Sequence, residues 1–569
     1  MKKTMEKSIV AALALFLLVG VAIVLPLTSA YALEVFSAET ELRIYNPAKS
    51  YGGYFMPSGF GAMMGPAPTT YLLDMQGNIV HQWAGVNGWA PQLQEDGTLW
   101  SGGYIQDWDG NILWSYTTQP YLAHHDFRKM WNKKLNQWTM LVNCNRTMTQ
   151  AEAVAMGMDP SVQYGARLGG EDFVAEINMA KQIVWEWYPW NHGCQSKNPA
   201  WPNYVSDVKN APGRLDVNWL TDNSQPAASG TAGVVNDWWH VNSIDYNEDL
   251  DQIVINEKHW SQFIVVDHGK TFVSTTDFSK NAAAAAGPDG DIIYRFGAPA
   301  SYNSGKSPGF MTEGDNQMYG SHNIQWIKPY QWKKPHLSTD TWPDPATLYG
   351  TKSVALPGAG NFLIFDNGCY NPTGMRSRVI EINGFINAAG TDPGTKVYVD
   401  PVVAGYKTTA AMYHQSKQVV YLYQAGMQNS FYSNFISGCQ RLPNGNTSIN
   451  SGAQNHMFEV TPSGEVVWEY IYPGVVGAAS TIQTDPGPTA GMNVMYRHYR
   501  YGTDFPGLAG KNLTSQGTIT GKIPTTVGSH GITMYVAPVY TGFGFAPGGS
   551  TLGGGGGTSG GTGGGAGGY

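Results

Sequence analysis

His240 stands in the run Asn236-Asp237-Trp238-Trp239-His240-Val241-Asn242-Ser243, ahead of the β-rich stretch Gln252 to His259. An imidazole bracketed by aromatic and amide side chains at the mouth of a strand pair can work as base, acid or nucleophile. Three other segments repeat this grammar: Gly320-Ser321-His322-Asn323, Phe365-Asp366-Asn367-Gly368 leading to Arg376 and Arg378, and Gln454-Asn455-His456-Met457-Phe458. Together they predict one polar site assembled from well-separated strands. His240 beside two Trp residues also has a structural reading, as a ring bonded to a backbone carbonyl, and so does His259, as a buried hydrogen-bonding group on its strand. Arg378, at the head of Val379-Ile380-Glu381-Ile382, could pair with a carboxylate, which leaves Arg376 freer to reach a ligand. His124 and His125 are adjacent; on a regular strand they point opposite ways, so one at most is expected to face the site. No metal is expected.

The elements that must position these groups are strands. The 569 residues include 70 Gly, 32 Tyr and 19 Trp with only 13% charged residues, a composition suited to short aromatic-rich strands and tight turns. A degenerate phrase recurs at Leu73 to Trp83, Asp107 to Tyr116 and Val460 to Tyr470, with weaker copies at Met179 to Trp187 and Asp289 to Phe296. Each has a Gly- or Asn-bearing turn, a β-branched pair and a closing aromatic, which is a hairpin signal. Its recurrence over several hundred residues predicts an all-β fold, a six-bladed β-propeller with a central-channel active site. The closing aromatics read as wedges between blades. Ala282 to Ala286, cut short by Gly287-Pro288, reads as a loop.

Flanking segments complete the organisation. Residues 1–32 carry Lys2 and Lys3, an apolar run from Ile9 to Leu27 and small residues up to Ala32, the pattern of an export signal, with an uncleaved membrane anchor as the alternative. Residues 33–69 form an N-terminal extension, 70–510 the propeller, 511–541 a C-terminal β segment, and 542–569 a Gly-rich tail too apolar-poor to offset its chain entropy. The protein is therefore expected outside the cytoplasm: periplasmic, extracellular or at the cell surface. A net charge of -8 without a basic stripe argues against nucleic acid. Cys144, Cys194, Cys369 and Cys439 show no CxxC spacing and leave disulfide connectivity open.

The phrases "DWWHVNSIDYN", "SHNIQW", "FLIFDNG" with "SRVIEIN", "FYSNFISGCQRLPNGNTSINSGAQNHMFEVTPSGEVVWEY" and "YRHYRYGTDFPGL" resemble the exported bacterial and archaeal arylsulfotransferases, which use no nucleotide sulfate donor. The resemblance runs from about Thr70 to Leu508 and implies transfer of a sulfuryl group from an aryl sulfate to a phenol, by ping-pong kinetics, through a sulfohistidine. It assigns His456 as the sulfated histidine, with His240, His322 and Arg376 as the other catalytic groups; Arg378, His259 and Asn242 are the candidate substrate-binding residues. The family's arginine follows "FDNG" closely, whereas this chain inserts Cys369-Tyr370-Asn371-Pro372 before Arg376. No cofactor is expected; the partners implied are small aryl sulfates and phenols. The competing reading is a non-catalytic surface propeller, an adhesin or carbohydrate binder.

Overall fold

The structure, a computed structural model, describes residues 34–36, 41–59, 69–85, 90–116, 122–164, 171–222, 234–235, 237–328, 356–369, 371–384, 418–424, 431–473, 494–521 and 526–529. The expected export signal and the Gly-rich tail lie outside these residues. Among the described residues no helix is long and apolar enough to cross a membrane.

Six antiparallel sheets form a six-bladed β-propeller. The blades, each given from its innermost strand outward, run in chain order. Blade 1 holds Gln92–Leu93, Leu99–Ser101, Tyr104–Gln106 and Ile112–Ser115. Blade 2 holds Leu122–Asn132, Gln137–Arg146, Glu171–Asn178 and Ile183–Trp187. Blade 3 holds Val241–Asn247, Gln252–Glu257, Gln262–Asp267 and Tyr294–Phe296. Blade 4 holds His322–Trp326, Phe362–Asp366, Arg378–Ile382 and Val419–Gln424. Blade 5 holds Gly438–Arg441, Thr447–Ser451, His456–Val460 and Val466–Ile471.

Blade 6 closes the ring without a covalent link. Its inner strand, Met495–Tyr501, pairs with Tyr54–Gly59 from the other end of the chain, followed by Thr70–Asp74 and Ile79–Trp83. Blade 5 gains further outer strands from Glu41–Tyr45, Glu34–Phe36 and Thr526–Ser529. Both segments expected to flank the propeller thus supply strands to its sheets, and its first strand precedes Thr70. Such pairing covers outer edges and makes ring closure depend on both ends of the chain.

The repeated phrases form the hairpins they predict. In the first, Asp74 Oδ1 accepts from the Gln76 and Asn78 amides, and Gly77 adopts φ +87°, where an added Cβ would lie 2.8 Å from the Tyr470 ring. The aromatics of three copies are buried between blades, with Trp83, Trp185, Trp187 and Trp468 all about 1% exposed or less, whereas Trp114 and Tyr116 of the Asp107 to Tyr116 copy are half-buried. Two local expectations fail. Ala282 to Ala286 is not a loop; Ser279–Ala285 is a helix whose Asn281 and Ala285 are buried, because Asn281 bonds the Val184 carbonyl of blade 2 and anchors two turns before Gly287-Pro288 stops them. The weak copy at Asp289-Gly290 is a 3-10 turn entering the last strand of blade 3, not a hairpin.

Neighbouring inner strands are clasped by side chains that cap each other's backbone. Asp126 accepts from the Ile244 amide, Ser243 and Asp245 from the Ile324 and Trp326 amides, and Asn323 from the Cys439 amide. All four cysteines are buried.

Candidate functional site

His240 is held at the entry of the blade 3 inner strand by its neighbour. Glu171, the first residue of the third strand of blade 2, takes the Trp238 and Trp239 amides at 3.1 and 2.7 Å, and Asp172 takes the Val241 amide at 2.7 Å. Trp238 and Trp239 are fully buried and pack against Trp260, so the loop is pinned from below and from the side. Asp237, in the left-handed region at φ +58°, turns back so that its Oδ2 accepts from His240 Nδ1 at 2.7 Å. No other hydrogen bond engages the His240 ring among the described residues, and its Nε2 is left for a ligand.

Other imidazoles surround it. Ring centroids of His124, His125 and His259 lie 5.6, 4.9 and 5.0 Å from that of His240. Both His124 and His125 face the site, against the alternation expected of a strand, because the strand bulges between Ala123 and Phe127 with His125 at φ +61°. The blade 3 and blade 4 inner strands shift register at the same level, between Val241 and Ser243 and between His322 and Gln325. The first bulge brings two imidazoles to His240, while the other two turn Asn242 and Asn323 to clasp the adjacent blades.

Their protonation states diverge. Burial pulls the His124 pKa down, but the Asp172 carboxylate 2.7 Å from its Nδ1, with Asp237 beyond, outweighs it and raises the value above normal. His125 falls well below its ordinary value through burial and the nearby His124, His240, His322 and Arg497. His259 is pushed down to about 3, chiefly by burial, with its Nδ1 donating to the Asp237 carbonyl oxygen at 2.9 Å. Burial works to raise Asp237, yet His240, His259 and His124 hold it far below the usual carboxylate range. His322 is lowered by burial, Lys258 and Arg497. Neutral His322 donates from Nδ1 to Asn367 Oδ1 at 2.6 Å, and its Nε2 accepts from the Ile436 amide at 3.2 Å, so both ring nitrogens are occupied.

Two buried cations complete the site. Lys258 is 7% exposed and its ammonium makes no hydrogen bond or ion pair among the described residues. Arg497 is 1% exposed; among the described residues it donates to the carbonyl oxygens of Ser437, Tyr496 and Asn242, and its Nε has no partner there. Both lower the His322 pKa. A buried charge without a counter-charge is costly by several kcal/mol per ion in round terms. An anionic ligand would relieve it.

The sequence-predicted residues divide accordingly. His240, His259 and His322 come together. His456 does not: it opens the third strand of blade 5, two strands out from the channel wall, where its Nε2 meets Glu469 at 2.8 Å and its ring stacks on Phe458. Arg378 is paired with Asp366, the residue facing it across the sheet, and bonds the Gln317 carbonyl, so it is not a substrate-binding group. Arg376 lies beyond that pair and acts, with Arg378, on Glu313. The side chain of Asn242 is spent on the Ser321 carbonyl, Asn256 and Ser243, where it clasps blades 3 and 4. The "FDNG" turn orients rather than binds: Asn367 fixes His322, and Gly368 at φ +69° has no room for a Cβ, which would lie 1.7 Å from the Arg376 oxygen.

Four contributors escaped sequence reasoning: His124 and His125 together, Lys258 and Arg497. A signal was present for Arg497 in the run "YRHYRY", where basic side chains interleave with β-forming aromatics. Asp237, His240 and His259 bring donor atoms within 4.8 Å of one another and could hold a divalent cation. Two features oppose that use. Asp237 Oδ2 is already engaged by His240, and Lys258 adds positive charge beside His259.

No family model and no curated protein matches this chain. Among solved structures, a protein of unknown function from Bacteroides caccae is similar at 10% identity and a TM-score of 0.33, over 76% of this chain and 97% of that one.

Proposed function

We propose that the protein transfers a sulfuryl group from an aryl sulfate to a phenol, with His240 as the nucleophile. The observation that carries this reading is the pair of largely buried cations, Lys258 and Arg497, which have no carboxylate partner among the described residues, beside an imidazole whose Nδ1 is held by Asp237. The cations call for an anion, and the held imidazole supplies a lone pair to attack it. The choice of sulfuryl among anionic groups rests on the resemblance to arylsulfotransferases.

Sulfuryl transfer passes through a loose transition state with charge on the peripheral oxygens and the departing phenolate, so the protein has mainly to position and neutralise, as in phosphoryl transfer. His240 Nε2 forms the N–S bond as the S–O bond to the aryl group breaks. The sulfated ring keeps its Nδ1 proton and becomes cationic, a charge that ionised Asp237 offsets. Lys258 holds the sulfuryl oxygens, with Arg497 adding to the field. His124, whose raised pKa favours the imidazolium, gives a proton to the phenolate. In the second half-reaction neutral His124 takes the proton of the acceptor phenol, whose oxygen attacks sulfur and restores neutral His240.

The test is acceptor-dependent release of 4-nitrophenolate from 4-nitrophenyl sulfate by wild type, His240→Asn and His456→Asn, with mass analysis of protein quenched during turnover. The expected result is activity in wild type and His456→Asn, loss in His240→Asn, and a sulfuryl adduct on the peptide bearing His240. Undiminished turnover in His240→Asn, or the adduct on His456, sinks this assignment. Saturable sulfate-ester binding without turnover by the folded protein would favour the non-catalytic propeller.

A further inference from the structure

Three Asn-x-Ser/Thr triplets occur in the chain: Asn145-Arg146-Thr147, Asn446-Thr447-Ser448 and Asn512-Leu513-Thr514. In an exported protein such a triplet is the acceptor pattern for an N-linked sugar, which the transferring enzyme can attach only where the asparagine amide is within reach. The fold treats the three differently. We infer that Asn512 is a site of N-linked oligosaccharide attachment and that Asn145 and Asn446 are not.

Two triplets are shut by their place in the blades. Asn446 is 3% exposed, and its Nδ2 donates to the Lys49 carbonyl at 2.8 Å and to Glu459 Oε1 at 2.6 Å. Ser448, the hydroxyl residue of that triplet, is fully buried and bonded to His498 Nε2. Asn145 lies in the second strand of blade 2, paired with Leu122 on one side and Asp172 on the other, so its backbone leaves the sheet only by breaking both ladders.

The third is open. Asn512 and Thr514 are exposed, while Leu513 between them packs against the cluster that holds Trp83 and Leu508. The Lys511 amide bonds the Leu508 carbonyl and the Gln516 amide bonds the Ile79 carbonyl, but from Asn512 to Ser515 no backbone–backbone hydrogen bond is made among the described residues. This stretch can lift into another enzyme's active site between two fixed points without unravelling a blade. Its polar groups are also set for the reaction. Asn512 Oδ1 accepts from the Thr514 amide at 3.1 Å and from Thr514 Oγ1 at 2.7 Å, whereas Asn512 Nδ2 makes no hydrogen bond among the described residues.

An amide nitrogen is a poor nucleophile until it sheds a proton, and donors on its oxygen favour the anionic form that results. The co-reactant is an oligosaccharide held as a lipid phosphate ester. Asn512 Nδ2 attacks the anomeric carbon, and the C–N bond forms as the C–O bond to phosphate breaks. The phosphate oxygen keeps the electron pair, and the amide proton passes to a base of the transferring enzyme. The export pattern of residues 1–32 predicts passage through a compartment where such donors are used. Nothing in this step depends on sulfuryl transfer.

The test is mass analysis of the full chain recovered from the cells that produce it. The tryptic peptide from Asn512 to Lys522 contains this triplet and neither of the others, and its fragment ions locate the sugar. A glycan on Asn512 is expected, with bare Asn145 and Asn446. It should be lost in Asn512→Gln and in Thr514→Val, which keeps the asparagine but removes the hydroxyl, and it should persist in Thr514→Ser. Both side chains are exposed, and melting curves matching wild type show that the variants are folded. An unmodified Asn512, a sugar on Asn145, Asn446 or a neighbouring hydroxyl instead, or full occupancy in Thr514→Val overturns the inference.

Discussion

Replacing Asp237 by Asn tests the orientation of the nucleophile most directly. In the wild type the carboxylate accepts from His240 Nδ1 at 2.7 Å and is held ionised by three imidazoles. When His240 carries the sulfuryl group its ring is cationic, about 4 Å between charge centres from Asp237. At an effective dielectric constant of about 20 that separation is worth about 4 kcal/mol. The asparagine dipole returns part of this, so a net loss of about 3 kcal/mol is expected, equivalent to about a hundredfold in rate. The amide can also donate through Nδ2, which would move the ring proton to Nε2 and block attack altogether. Stopped-flow release of 4-nitrophenolate from 4-nitrophenyl sulfate isolates the first half-reaction. Asp237→Asn should slow the burst about a hundredfold while KM barely moves, because Lys258 still meets the sulfate. A burst within about threefold of wild type would refute the argument that Asp237 orients and stabilises His240.

Lys258→Met should lower kcat/KM for aryl sulfates by about a hundredfold or more, while stabilising the free protein by about 1–3 kcal/mol, since it removes a largely buried charge that meets no carboxylate among the described residues; chemical denaturation checks the second effect. Stability should also depend on pH through His268. Burial opposes its protonation, but Asp251 and Glu176 raise its pKa from 6.5 to about 9. The ion cluster therefore contributes fully below pH 6.5, and its contribution is lost as pH rises through about 9; His268→Gln should flatten that decline in denaturant midpoint. Gly368→Ala, with φ +69° and a Cβ 1.7 Å from the Arg376 oxygen, should cost about 3 kcal/mol or more in thermal unfolding. It should also reduce turnover by shifting Asn367 from His322.

The propeller was legible because its signal is local and repeated. An Asp or Asn that caps its own turn, a residue that tolerates positive φ and an alternating strand need only a few neighbouring residues to be recognised, as at Asp74 to Asn78 and Asn178 to Gln182. The helix Ser279–Ala285 was missed for the opposite reason: two turns are marginal alone and form here because Asn281 docks on blade 2. The ring closure through Tyr54–Gly59 was missed because nothing near that strand marks its partner more than 400 residues away.

Within the site, sequence by itself determined that His240 follows two large aromatics at a strand entry, that "FDNG" is a tight turn with an amide next to it, and that the charged residues are few. Which side chains meet was decided by the tertiary structure alone. A bulge with His125 at φ +61° brings two consecutive histidines to one point, and strand order puts His456 two places from the channel. Arg378 is consumed by Asp366 across its own sheet, whereas Lys258 and Arg497 meet no carboxylate among the described residues. The physical reason is that residue type and spacing set what a strand can be. Burial, register and the distance to a counter-charge belong to the assembled ring.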